Sequence, residues 1–375
     1  MHTRASAPRT GADRSRLVGL DAARGLALIG MIVVNVGPTD ATSLLQRLYL
    51  LPYGRASILF VVIAGIGMGY LLGRSRRRPA SGGEGRWPVV LWRAGLLVVG
   101  GMALQALTDD IGVILALYGI LFVLAPLANR LPDRGLTIAA GVMLLVGPIL
   151  VIVHDLVTGQ SPGGSPPVRP DDPPGELALG LLFAGRYPLV TWVVPFLVGL
   201  RLARTDLAGR ATQRRLVVWG TVAAGGGLAA SGILRTLIGP AADEGFTRLL
   251  TGVAHGQMPL WLVSSVGGAV AVVALLARLG QARPRLLEPL AAAGRLSLTV
   301  YVAHILLLIA VMPAGGFSFP EGIAVSAALV AVAIAFGLVW RRVGGPGPLE
   351  RVMRAPWARR SSTPARPEPP VRTVS

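Results

Sequence analysis

The sequence predicts an all-α fold: a polytopic membrane helix bundle of about ten transmembrane helices, with both termini cytoplasmic. Three observations predict it. Of 375 residues, 53% are hydrophobic and only 14% charged, whereas soluble domains usually carry about 25% charged residues. Mean hydropathy is +0.62, and the apolar residues gather in runs of the length that crosses the hydrocarbon. The connections between those runs alternate in charge.

Ten spans fall at roughly 17–37, 56–73, 91–108, 111–129, 135–154, 187–203, 215–237, 259–279, 296–313 and 321–341. A basic tail, residues 1–16, precedes the first span. That span is too long for a cleavable leader and has no small-residue cleavage site after it, so it reads as an anchor. Arg74, Arg76, Arg77 and Arg78 follow the second span, and Arg130 and Arg134 the fourth. Arg204, Arg210, Arg214 and Arg215 follow the sixth, and Arg278, Arg283 and Arg285 the eighth. Arg341, Arg342, Arg351 and Arg354 follow the tenth. Every second connection is thus basic, as cytoplasmic loops are. The others carry Asp40, Asp109 with Asp110, Asp171 with Asp172, and Asp243 with Glu244.

The stretch 158–174, TGQSPGGSPPVRPDDPP, reads as a flexible outer loop, and 176–184 as a short interfacial helix. The transmembrane domain runs over 17–341. A cytoplasmic tail, 342–375, follows, with disorder expected from about Arg359. Of 49 glycines, many lie inside spans, where small residues let helices approach closely.

The charge excludes some classes of function. Net charge is +18 and all 36 basic residues are arginine. They sit in clusters between apolar runs, which is topology and anionic-lipid information and gives no sign of nucleic-acid binding. There is no cysteine, which excludes disulfides, thiolate catalysis and cysteine-ligated metal. No metal-ligand spacing, Walker loop or dinucleotide loop occurs, and no serine nucleophile elbow. An ATP-driven pump and an elbow-type hydrolase are therefore disfavoured.

Polar residues inside the spans mark the candidate site. Asp21, Arg24 and Asn35 share a stripe on the first helix. Asp21 and Arg24 are three apart and can pair; Asn35 lies about 17 Å further along at 1.5 Å per residue. The same residues also fit an interfacial ion pair and one interhelical hydrogen bond. In the ninth span, GRLSLTVYVAHILLL, Ser297, Tyr301 and His304 are spaced i, i+4, i+7 and share a face below Arg295. His304 falls near mid-membrane, where a histidine is either a satisfied structural group or part of a proton or substrate path. His255, at the outer start of the eighth span, sits at the level of Asn35. Arg55 lies at an outer helix end against the charge rule, as if to bind an anion or pair with Asp40.

Four blocks, LDAARGLALIGMIVVNVG, GRASILFVVIAGIGMGYLL, GRLSLTVYVAH and GPLERVMR, together resemble the heparan-alpha-glucosaminide N-acetyltransferase-like family of bacterial membrane proteins. The likeness spans most of residues 16–355. It implies a membrane-embedded acyltransferase in a bacterial cell membrane. An acyl group, typically acetyl, passes from cytosolic acyl-CoA to a hydroxyl or amine on the outer side. The acceptor would be a glycan, a lipid or a small amine. No metal is implied, and association as a homodimer is admitted. Asn35 matches the family's catalytic asparagine. The family's histidine belongs to the following outer loop, but residues 38–53 contain none, so His255 or His304 would serve as base. Arg24, Asp21, Arg295, Ser297 and Tyr301 would line the acyl-CoA site, with Arg55 and Asp40 toward the acceptor. A small-molecule transporter or lipid flippase, with the same polar path and no covalent step, is the competing reading.

Overall fold

The computed structural model describes residues 11–38, 43–73, 87–160, 168–253 and 255–354, with backbone alone at 11–17, 242 and 243. Asp40, the arginines of 74–86, the loop 161–167 and the tail from 355 lie outside the described residues. Among those described, the regular structure is helical throughout, without a strand.

The helices are α1 (Gly11–Val36), α2 (Leu44–Tyr49), α3 (Arg55–Leu72), α4 (Trp87–Gln105), α5 (Leu115–Ala128), α6 (Asp133–Thr158) and α7 (Pro174–Phe183). They continue with α8 (Leu189–Leu202), α9 (Arg210–Ile238), α10 (Pro259–Ala282), α11 (Pro284–Arg295), α12 (Ser297–Val311), α13 (Phe319–Val343) and α14 (Pro348–Val352). Two 3₁₀ turns, Gly239–Asp243 and Gly245–Leu250, bridge α9 and α10.

Seven helices are long and apolar enough to cross a membrane, or eight if the bent pair α11–α12 forms one span. The sequence reading expected ten. The two that fall short are α5 and α8, each of 14 residues and so about 21 Å long, against a hydrocarbon thickness of about 30 Å. A hydropathy window also counts the apolar residues that lead into α5, and these are buried without being helical: Ile111, Val113 and Ile114.

α1 is the central helix. Ala22, Ala23, Ala27, Leu28 and Ile32 are sealed from solvent, and the helix packs against α3, α10, α11, α12 and α13. Its contact with α11 needs missing side chains. A Cβ on Gly294 would strike the Asp21 carbonyl and the Gly25 amide; one on Gly25 would strike the Leu290 carbonyl. α3 and α8 meet the same way at Gly65 and Gly199. Close packing thus accounts for Gly65, Gly69 and Gly227, while Gly67, Gly225 and Gly226 face open space.

Two further ties fix the site's frame. The Tyr49 hydroxyl donates to the Gly37 carbonyl at 2.8 Å and meets the Ser326 hydroxyl at 2.9 Å, pinning the end of α1 to α13. Burial holds this phenol above its ordinary pKa, with the Ser326 bond opposing, so it stays a neutral donor. The described part of the loop 158–174 is also tethered, because Arg169 pairs with Asp109 at 2.7 Å and with Asp171 at 3.2 Å.

Candidate functional site

α11 ends at Arg295 and α12 starts at Ser297, with a bend of 65° between them. A helix start leaves its first four N–H groups without intrahelical partners, and Leu296, in the N-cap position, has no side chain that can cap them. Glu350 of α14 supplies the acceptors. One carboxylate oxygen accepts from the Leu298 and Thr299 amides at 2.9 and 3.1 Å, and the other from the Thr299 hydroxyl at 2.6 Å. A carboxylate there also meets the positive end of the helix dipole. The GPLERV segment is thereby folded back onto the break. Trp92 and Arg93 of α4 hold it from the other side, donating to the Val352 and Met353 carbonyls at 3.0 and 3.4 Å.

Beside this break lies a cavity of about 370 Å³, within the range of small-molecule sites. One end is basic, formed by Arg24, Arg93, Arg295 and Arg354 with Glu350. Arg24 pairs with Asp21 at 3.2 Å, and Arg295 reaches Asp21 at 3.9 Å and Glu288 at 2.6 Å. Arg93 and Arg354 are within electrostatic reach of each other, and no described carboxylate pairs with either. The middle is apolar, lined by Met31, Phe60, Ile63, Leu97 and Phe122, and Tyr118 and Tyr301 join this wall.

Just beyond that wall is a polar dyad. The Asn35 amide nitrogen is 3.0 Å from His304 Nε2, and His304 Nδ1 is 3.2 Å from the Val300 carbonyl. A carbonyl only accepts, so Nδ1 carries the proton and Nε2 presents its lone pair to the Asn35 amide. Neither side chain lines the cavity itself; residues that do line it stand next to them. Met31 precedes Asn35 by one turn of α1, and the Tyr301 ring is centred 5.3 Å from that of His304. The Tyr301 hydroxyl accepts from the Ile114 amide at 3.3 Å.

The expected face of Ser297, Tyr301 and His304 therefore forms, with Ser297 and Tyr301 on the cavity and His304 on Asn35. Asp21, Arg24 and Arg295 join at its basic end. His255 is elsewhere. Its half-buried ring packs among Tyr53, Tyr187, Trp192 and Trp261, with centroids 4.7, 6.2, 6.3 and 5.9 Å away. Its backbone takes the left-handed φ of 57°. Burial, helped by Arg186, lowers its pKa to about 4. Arg55 donates back to the Leu51 carbonyl at 3.4 Å; Asp40, its expected partner, is outside the described residues. Sequence reasoning missed Arg93, Tyr118, Glu350 and Arg354. Tyr118 stands inside an apolar run, a signal available from sequence, whereas nothing local to Glu350 marks it as the cap of a helix whose amide lies 52 residues away. Among the described residues no cluster of three metal-ligating side chains occurs.

A family model described as a protein of unknown function, DUF418, matches residues 202–359. It is a family of membrane proteins. The match takes in α9 to α14, and so His304 and Glu350, but leaves out α1 with Asn35. No curated protein matches the chain.

Proposed function

We propose that the protein is a membrane-embedded acyltransferase of the heparan-alpha-glucosaminide N-acetyltransferase-like kind. In this reading an acyl group, typically acetyl, moves from cytosolic acyl-CoA to a hydroxyl or amine acceptor at the outer side of a bacterial cell membrane. Ten membrane segments with both termini cytoplasmic go with it, α5 and α8 among them, α5 lengthened by its buried non-helical entry at Ile111, Val113 and Ile114. The observation that carries the reading is the Asn35–His304 dyad beside a cavity whose other end is basic. Arg24 and Asn35 are 11 residues apart on one helix, about 17 Å, comparable to an extended pantetheine arm.

The chemistry follows from the dyad. The acceptor's hydroxyl or amine gives its proton to His304 Nε2 and forms a bond to the thioester carbonyl carbon. The Asn35 amide, released from Nε2, donates to the oxyanion. The C–S bond then breaks, and His304 returns the proton to the thiolate, leaving CoA and the acylated acceptor. Arginines at the basic end hold the phosphates.

The test is acyl transfer by purified protein in detergent with radiolabelled acetyl-CoA and a panel of sugar, lipid and amine acceptors. His304→Gln should reduce turnover by roughly 10²–10⁴-fold, and Asn35→Ala by roughly 10²–10³-fold, with CoA binding retained. Transfer that is indifferent to both substitutions refutes the site. The broken helix α11–α12 favours one second reading, a transporter, since helices interrupted beside a cavity recur in such proteins. Vesicle uptake without acyl transfer would select it.

A further inference from the structure

The last described residues, 346–354, form one side of the cavity's basic end through Glu350, Met353 and Arg354. Polar contacts hold them there. None of the five residues of α14 is buried, and of the segment only Met353 joins the apolar core. The ties include the Glu350 cap and the bonds from Trp92 and Arg93. The Leu349 amide also donates to the Thr299 hydroxyl at 3.1 Å, and Arg351 lies 5.5 Å over the Trp340 ring. The chain reaches the segment from α13 through Gly344 and Gly345, with φ of 77° and 82°, which other residues rarely adopt. A Cβ on either would meet nothing nearer than the Arg351 guanidinium at 3.9 Å. A segment with few apolar contacts, joined through two open glycines, is of the kind that opens locally at little cost.

Charge across the seam between this segment and α4 does not balance. Arg24 and Arg295 have carboxylate partners in Asp21 and Glu288, and both Glu350 oxygens are taken by α12. Arg93 of α4 and Arg354 of the segment face each other within electrostatic reach, with no carboxylate on either among the described residues. Arg93 is half-buried, Arg354 is exposed, and both line the cavity. Among the described residues, no hydrogen bond uses the Nη groups of Arg93 or any side-chain nitrogen of Arg354. Two like charges held together push the seam apart unless an anion sits between them.

We infer that the segment 346–354 is a lid that shuts on a phosphate-bearing ligand, with the phosphate seated between Arg93 and Arg354. The inference rests on the acyl-CoA reading for the ligand and adds to it how the donor site closes. In the empty site the two arginines repel across the seam. In the occupied site each donates charge-assisted hydrogen bonds to the same anion, and the repulsion becomes a tie. The lid also carries Glu350, which caps α12, so the grip on the phosphate is passed to the start of the helix that bears Tyr301 and His304.

The experiment is hydrogen exchange of the full chain in detergent, read on the peptide covering 346–354, with calorimetric titration for affinity. The probes are CoA, adenosine 3′,5′-bisphosphate, which has phosphates without the arm, and pantetheine, which has the arm without phosphates. Phosphatidylglycerol added to the micelles tests a lipid as the source of the phosphate. CoA and the bisphosphate at saturation should each slow exchange about tenfold, the effect of one added charge-assisted hydrogen bond, and pantetheine should not. Arg354→Gln should cancel that slowing and weaken the bisphosphate about tenfold. Without ligand, this variant should exchange at 346–354 no faster than wild type, because it loses a repulsion. Faster exchange there would make Arg354 a structural tie and overturn the inference. CoA binding that leaves exchange at 346–354 unchanged overturns the lid while leaving the acyl-CoA reading intact. Failure of wild type to bind CoA at all overturns the acyl-CoA reading and this inference with it. Slowing by pantetheine, or by phosphatidylglycerol alone, also overturns the inference, since the lid would then answer to the arm or to the bilayer.

Discussion

Replacing Glu350 by alanine isolates what one distant carboxylate does for the site. Glu350 accepts three hydrogen bonds from α12, at 2.9, 3.1 and 2.6 Å. Leu298 and Thr299 are the second and third residues of that helix, so their amides are among the four that a helix start leaves unpaired. Loss of a side-chain cap costs about 0.5–2 kcal/mol, and loss of the charge at the dipole about 0.3–1 kcal/mol more. Water entering from the cavity offsets part of this. The net local cost is about 1–2 kcal/mol, or roughly 5–30-fold in the equilibrium between closed and open α12 start. The assay is hydrogen exchange, resolved to the peptide covering 297–300, with wild type, Glu350→Gln and Glu350→Ala compared in detergent. Protection of those amides should fall by that factor in the alanine variant and by less in the glutamine variant, which keeps one acceptor oxygen. Exchange should also quicken in α14, while α6 and α9 stay unchanged. Unaltered protection at 297–300 in Glu350→Ala would refute the claim that the carboxylate caps the helix.

Two further outcomes test the packing at the end of the molecule remote from the arginine cluster. The His255 pKa, lowered to about 4 from 6.5, means the folded state favours the neutral ring. Stability from this group is therefore complete above pH 6.5 and is lost as pH falls toward 4, by about 3 kcal/mol in all. His255→Asn, which tolerates the left-handed backbone, should flatten the melting temperature between pH 7.5 and pH 4.5; an unchanged slope would exclude His255 as its source. Arg248 and Asp155 form a buried ion pair at 2.8 Å, and Asp155→Asn leaves the guanidinium buried without its counter-charge. That should cost about 3–5 kcal/mol in thermal denaturation, with most of it recovered by adding Arg248→Leu; no recovery would point to a role for the pair other than charge compensation.

Much of the site could be read from the first helix and the GRLSLTVYVAH run. Helical periodicity alone put Ser297, Tyr301 and His304 on one face and paired Asp21 with Arg24, because these are local relations fixed by 3.6 residues per turn. The same periodicity did not give the number of spans. An apolar stretch such as 111–129 scores alike whether all of it is helix or only 115–128, since hydropathy records what is buried and not how the backbone is hydrogen-bonded.

Choosing between the two histidines needed the tertiary structure. His255 and His304 looked equally suited to assist Asn35, 220 and 269 residues away along the chain. Only the packing of α1 against α12 brings His304 to 3.0 Å and leaves His255 among aromatic rings. Glu350 is the same kind of case, a charge 52 residues from the amide it caps. The sequence by itself determined a membrane helix bundle and the polar faces within it, because burial in lipid and helix geometry act on each segment separately. The tertiary structure decided which faces meet, because glycine contacts such as Gly25 with α11 and Gly294 with α1 set the approach and rotation of the helices. Those are relations between segments, and no segment carries them alone.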